Sequence, residues 1–381
     1  MNILHLELAG FFTEHMSYQT NFLAKYNRQD GHQVTIISTN FCWKEGRIEK
    51  VKPCDMVLED GIRLIRIPYT NSNFSFSCQK VRKVRNLYQI IAGIHPDVIL
   101  THGLQYWSVR DVIRYKKDHP EVKLYADTHT DYYTSGTNWL SLHVLHRVFY
   151  RRLVQKALPN LEKYLCISDE CRQFSMEHYG VPELLTEFYP LGGTIPTGEE
   201  YAGKRKARRA ELGVRPDEPL LVHAGKLEPQ KKTDALLRAF AAVPELKAKL
   251  AVIGSIPEET KASLLAQMDA DPRVMYLGWK SGAELQDYLC AADLYCQPGK
   301  VSAIMQNAVC CRCPILLYPH PGYVKDYDYG NIVWVKTEED LENAFRKLAA
   351  GETDLAALGQ GSQRCARELL DYRALAARLY R

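Results

Sequence analysis

Residues 223–240 read HAGKLEPQKKTDALLRAF, and the order of residue types is that of a strand, a tight turn and a helix. The apolar run 219–224 (PLLVHA) ends at Ala224, a glycine turn follows at Gly225, and a helical pattern begins near Thr233. Lys226, Lys231 and Lys232 crowd the turn around Pro229. Ammonium groups beside the first turn of a helix suit a diphosphate, because the helix dipole and its free N–H groups add to the lysine charge. Taken alone, the cluster reads more simply as a solvated loop. Its place just past the carboxyl end of a strand, where open α/β sheets bind ligands, favours the phosphate.

The same beat runs outward in both directions. Downstream, strands are expected over 249–254, 273–277, 294–296, 314–318 and 331–335, with helices over 233–242, 257–268, 281–291, 301–311 and 337–349. From Tyr189, YPLGGTIPTGEEYAGKRKARRAELGV reads as a Gly- and Pro-rich linker followed by a surface helix. Upstream, strands are expected over 2–9, 33–38, 62–67, 97–101, 122–126 and 164–167, with helices at Tyr18–Tyr26, 80–94, 107–117 and 139–156. Short apolar runs alternating with helices point to parallel sheets covered on both faces. The fold class is therefore α/β, as two doubly wound Rossmann-like domains over 1–190 and 191–381 facing across a cleft, the last helix being free to pack back on the first domain. A chain of 381 residues is long enough for both.

Charge and cysteine usage narrow the function. Lys plus Arg number 49 against 45 Asp plus Glu, a net +4, too slight for the electrostatic footprint of a nucleic-acid binder. Anionic small molecules or a membrane surface remain open as partners. The start MNILHLELAGFFTEH lacks a basic n-region and reads as no signal peptide. The eleven cysteines therefore read as reduced thiols of a cytoplasmic protein, with Cys310, Cys311 and Cys313 as small core residues rather than zinc ligands. No acidic residue stands between Tyr132 and Leu161, where Arg147, Arg151, Arg152 and Lys156 share a helical pattern with Leu142, Leu145, Phe149 and Leu153. Such a helix either lies on an anionic membrane, peripheral at its inner face, or packs its apolar stripe on the sheet.

In this order and spacing the sequence resembles the retaining glycosyltransferases of the GT-B fold, family 4 type. GKLEPQKKTDALLRAF is similar to their GRL-x-x-x-KG-x-x-x-LI-x-AF pattern, and LAVIGSIPEE, RVMYLGWKSGAELQDYLCAADLYCQPG and NAVCCRCPILLY follow in the family's order. In the N-terminal half, MNILHLELAGF, GHQVTIIST, DVILTHG and YADTHT match its strand ends, and YPLGGT its linker.

The resemblance implies a hexosyltransferase of surface polysaccharide or glycolipid synthesis. It would move a sugar from a UDP- or GDP-linked donor, held by the C-terminal domain, to a glycan or lipid-linked acceptor held by the N-terminal one. It implies no cofactor and no metal. Carried over residue by residue, Lys226 stands where an arginine usually holds the donor diphosphate, Lys231 matches the family lysine, and His129 matches the histidine facing the donor sugar. Gly225 is the turn at the phosphates, Gly278 and Trp279 lie at the nucleotide base, where Trp279 reads equally as packing, and Gly10 begins the loop near the reacting atoms. Glu14 and His15 on that loop are candidate acceptor contacts, and His102, Asp127 and Asp131 carry weaker claims. The family's E-x7-E pair falls on Gly299 and Asn307, neither a carboxylate. Asn307 keeps hydrogen-bonding capacity for a ribose. The 299–302 turn, with Ser302 and Gln306 as polar neighbours, reads either as an anion-facing loop or as a plain strand-to-helix turn. Because the glutamates are missing, a non-catalytic sugar-nucleotide or glycan binder is the alternative; a sugar-nucleotide epimerase, which needs acid/base carboxylates, fits less well.

Overall fold

A computed structural model describes the chain except residues 45–46, 72, 133–134, 136–137, 301 and 320–325. The chain divides into two compact units, Met1–Pro190 with Tyr372–Arg381, and Leu191–Asp371.

The first unit is built on β1 (Asn2–Glu7), β2 (Gln33–Thr39), a small antiparallel pair β3 (Phe41–Lys44) and β4 (Arg47–Lys50), β5 (Cys54–Val57), β6 (Arg63–Ile67), β7 (Val98–His102), β8 (Lys123–Thr128), β9 (Lys163–Cys166) and β10 (Thr186–Phe188). Eight of these form one sheet in the order β10-β9-β8-β7-β1-β2-β6-β5, parallel throughout except for β5 on its edge. Strand order reverses at β1, between β2 and β7, so the ligand crevice of this unit lies at the carboxyl ends of β1 and β7. The central strands read as unbroken apolar runs because helices cover both faces: Ile3 to Leu6 and Val98 to Leu100 have almost no exposed surface.

The second unit holds β11 (Leu220–Ala224), β12 (Lys249–Ile253), β13 (Val274–Tyr276), β14 (Leu294–Gln297), β15 (Ile315–Leu317) and β16 (Ile332–Trp334) in the order β13-β12-β11-β14-β15-β16, all parallel. Its switch point falls between β11 and β14. The surface helix after the linker, Gly198–Glu211, starts with a capping box from Thr197 and Glu200. Arg205 and Arg209 on it both reach Asp293, at 2.5 and 2.8 Å, while the Leu220 amide donates to the same carboxylate at 2.8 Å. Asp293 thus ties the helix to the starts of β11 and β14. Asp293→Ala leaves two largely buried guanidinium groups unpaired, and urea unfolding should show a loss of about 3 kcal/mol.

Three expectations need correcting. The helix expected over 80–94 is only Leu87–Ile94. Arg82 and Asn86 adopt left-handed φ, and the segment before them bonds outward: Trp107 donates to the Val81 carbonyl and Thr70 to that of Lys83. The helix expected over 301–311, whose first residue lies outside the described residues, is Ile304–Cys310, and the strand expected over 2–9 stops at Glu7. Cys310, Cys311 and Cys313 are buried as free thiols. On the helix over 141–157, Leu142, Leu145, Phe149 and Leu153 pack into the core. Among the described residues no helix is long and apolar enough to cross a membrane.

Candidate functional site

The turns at the carboxyl ends of β11, β12 and β13 are stacked on one another. Gly225 donates to the Ile253 carbonyl, and Gly254 to that of Gly278 (2.8 Å). A Cβ on Gly254 would lie 1.7 Å from the Gly225 oxygen, so only glycine lets these turns touch.

Against this floor stands the short turn Pro229–Lys231. Lys231 is 7% exposed; its Nζ donates to the Lys300 carbonyl at 2.8 Å, and among the described residues no carboxylate pairs with it. Burial, then the positive charge of Lys300, pull its ammonium down to about 8. The loop after β14 locks the arrangement: the Lys300 backbone amide donates to the Gln230 carbonyl at 2.8 Å, and a Cβ on Gly299 would come within 2.2 Å of that same oxygen. No side chain fits at Gly299 in this backbone, which gives a packing reason why the family's glutamate is replaced there.

Sequence reasoning missed His223. It is fully buried, its Nδ1 donating to the Cys296 carbonyl at 2.8 Å and its Nε2 accepting from Thr233 Oγ1 at 2.9 Å. Burial keeps it neutral, with its pKa lowered to about 4. It pins the start of the helix Thr233–Ala241 to both strands of the switch point. Gln297 was missed too: its Oε1 accepts from Tyr295 and Ser302 at 3.0 and 3.2 Å. The only sequence signal for either was polarity at the end of an otherwise apolar strand.

The structure brings Gly225, Lys231, Gly299 and Ser302 around one switch point. Ile304 lies against Gly225, and Gln306, two residues on, is buried with Oε1 lacking a partner among the described residues. Lys226 is exposed and paired with Glu228 at 2.8 Å, and Trp279 is 72% exposed, so it is not packing. Gly278 has open space around it. Asn307 is half-buried, with its amide oxygen close to Gly193 of the linker.

In the first unit, His129 follows β8, its Nε2 2.9 Å from Gln19 Oε1 and 3.9 Å from Asp127 Oδ2. Gly10 rests on the Glu7 carboxylate, which accepts from Thr20 at 2.7 Å and is pushed up by burial. Glu14 is held by the buried Arg66 at 2.6 Å, which fixes its carboxylate on the loop after β1. His15 is exposed with a left-handed φ, and Asp131 follows His129 by two residues.

Comparison with known proteins agrees with this architecture. The profile of the Glycosyltransferase Family 4 matches residues 18–190, and that of the Glycosyl transferases group 1 matches 204–364. A D-inositol 3-phosphate glycosyltransferase of Saccharomonospora viridis is 29% identical over 179 residues, 42% of this chain and 42% of its own length. The match thus spans less than half of that relative. HepE of Anabaena, crystallised with UDP, superposes with a TM-score of 0.66 at 14% identity over 99% of this chain and 98% of its own. WaaG, a glycosyltransferase involved in lipopolysaccharide biosynthesis, does so with 0.57 at 16% identity over the whole of both chains. With two profiles covering its two units in sequence and a GT-B fold throughout, the chain belongs to the group 1 glycosyl transferases, with an N-terminal half of the Family 4 type.

Proposed function

We propose that the chain transfers a hexose-type sugar from a nucleotide-sugar donor to a glycan or lipid-linked acceptor, with retention at the anomeric carbon and without a metal. The observation that carries this reading is Lys231: an ammonium buried at the switch point, with no carboxylate in ion-pair contact among the described residues, beside glycine turns that admit no side chain. A diphosphate supplies the missing negative charge. Lys226 on the rim would answer the outer phosphate oxygens once released from Glu228. Trp279 offers an open face for the base, and the crystals of HepE with UDP support a uridine nucleotide. In the step itself the bond from the anomeric carbon to the phosphate oxygen breaks as the bond to the acceptor oxygen forms on the same face. The acceptor's proton passes to the departing phosphate oxygen, so no carboxylate base is needed; the lysines stabilise the charge that develops. His129, exposed just past β8, is assigned a sugar hydroxyl as its partner.

Incubating the purified protein with UDP- and GDP-sugars and a panel of glycan and glycolipid acceptors tests the reading. The expected product keeps the donor's anomeric configuration by NMR, in the presence of a chelator. Inversion, or an epimer formed from the donor alone, would sink it. Tight binding of a nucleoside diphosphate without turnover would favour the second reading, a binding protein, for which the glycine at 299 speaks.

We further propose that the first unit touches an anionic membrane through the helix over 141–157. Leu140, Val144 and Val148 are exposed at four-residue spacing beside Trp139 (70% exposed), and Arg147, Arg152 and Lys156 flank them on the outer face. Apolar tips with cationic neighbours match the headgroup boundary. The protein should co-sediment with vesicles containing phosphatidylglycerol, and Val144→Asp together with Trp139→Ser should lower the bound fraction at least about tenfold. Unchanged co-sedimentation would rule this face out.

A further inference from the structure

A chain of buried polar side chains runs beneath the carboxyl ends of β1, β7 and β8. Asn27 donates through Nδ2 to the Ala376 carbonyl at 3.4 Å, which turns its Oδ1 toward His5 Nε2 at 2.9 Å. His5 Nδ1 then faces His102 Nε2 at 3.1 Å, and His102 Nδ1 faces Asp127 Oδ2 at 2.6 Å. Asn27, His5 and Asp127 have no exposed surface and His102 has 5%, so each of these contacts must be satisfied within the chain.

Every contact takes one hydrogen. The Asn27 oxygen has none, so the first sits on His5 Nε2. A second proton on His5 would create an imidazolium sealed in with only an amide beside it; burial, then the neighbouring His102, lower its pKa to about 3. His5 Nδ1 therefore accepts, and His102 Nε2 donates. The short contact from His102 Nδ1 to Asp127 needs one more hydrogen. Burial opposes charge on both partners, yet their attraction and hydrogen bond outweigh it, holding His102 above its ordinary value and Asp127 below. The second oxygen, Asp127 Oδ1, has no hydrogen-bond partner among the described residues, so this carboxylate is answered chiefly by His102.

We propose that His102 is a resident imidazolium that keeps Asp127 ionised behind His129, so that His129 holds its own proton on Nε2 and turns Nδ1 outward as an acceptor for a substrate hydroxyl. His129 Nε2 lies at hydrogen-bond length from Gln19 Oε1, 2.9 Å, and its N–H there is drawn further by the Asp127 carboxylate at 3.9 Å; the side chain is 46% exposed. The outward role rests on the reading of His129 given above; the proton assignment does not. His102 and Asp127 are positioning residues. The other charged groups that face the pair are Glu7 from β1, itself near Arg82, and, toward His129, Asp131.

Long-range proton–nitrogen NMR of the full chain with nitrogen-15 in its imidazoles tests the proposal near pH 8, about 1.5 units above an ordinary histidine. His102 is expected with both ring nitrogens protonated, and His5 and His129 as Nε2–H tautomers. In Asp127→Asn, His102 should give up its second proton and titrate at least about one unit lower. A wild-type His102 carrying a single proton at that pH overturns the assignment, whether or not the variant folds. A wild-type His129 protonated on Nδ1 instead overturns the positioning role. The spectra need no substrate: an inactive protein with the expected pattern would defeat the functional reading and leave the proton assignment standing.

Discussion

Lys231→Met should lower kcat/KM for sugar transfer by about a hundredfold or more while leaving the melting temperature at or above that of the unchanged protein. The two halves of this result come from one fact. A buried ammonium that no carboxylate pairs with among the described residues weakens the empty protein, and an isosteric apolar side chain relieves that cost. The same charge is what a diphosphate needs. A residue kept only for packing would behave in the opposite way, losing stability on substitution. Because the folded-state value is about 8 against about 10.4 in an unfolded chain, Lys231 is already neutral in the fold where the unfolded chain still binds its proton. Its contribution to stability therefore rises as pH climbs from 8 toward 10. Affinity for a nucleoside diphosphate moves the other way, falling above about pH 8 as the free site loses its charge, with binding there drawing up a proton. Calorimetry in two buffers of different ionisation enthalpy reads that proton directly, and full affinity in Lys231→Met would end the diphosphate assignment.

Gly254→Ala should be the most damaging single methyl group in the second unit. The added carbon would meet the Gly225 carbonyl oxygen at 1.7 Å and its carbon at 2.8 Å, and the residue has φ +144°. The obstacle is backbone on both sides, so no side-chain rotation relieves it. The strands β11 and β12 must separate at their carboxyl ends, breaking the Gly225 amide's bond to Ile253, and a loss above about 3 kcal/mol follows. Gly278→Ala is the matched control. It also has a positive φ, +66°, but open space around it, and should cost only about 1–2 kcal/mol. Melting curves of the two variants side by side should differ widely; equal curves would mean that the turns are not pressed together.

Which parts of this were legible in the sequence follows from the range of the forces involved. Strands such as β7 and β11 announce themselves because parallel pairing under helices demands unbroken apolar runs, and the turn at Gly225–Lys231 was visible from its glycine and lysines. The stretch 80–86 was misread as helix because its Val and basic residues have helical spacing, while its backbone bonds in fact go to residues 70 and 107. The strand β10 and the pair β3–β4 are only three and four residues long, too short for a period to show. His5 and His102 stand 97 residues apart, and nothing local marks either as a hydrogen-bonding partner of the other. Nor does spacing reveal that Gly299 is hemmed in by Gln230, or that Asn307 lies close to Gly193. Those facts belong to the packing of distant segments.

The segment Tyr372–Arg381 belongs to the unit that begins at Met1, where Tyr372, Leu375, Ala376 and Leu379 cluster with Ile3, Leu23, Val98, Leu100, Leu165 and Tyr189. Arg378 also binds the Phe188 carbonyl, and Tyr380 reaches Asp30 at 2.6 Å. Chains are made from the N-terminus, and domains ordinarily fold in that order as they emerge from the ribosome. Here the first unit cannot close that part of its core until residues about 180 positions beyond its own last strand have been translated. The second unit, continuous in sequence, can finish first, and the first completes its core only after it.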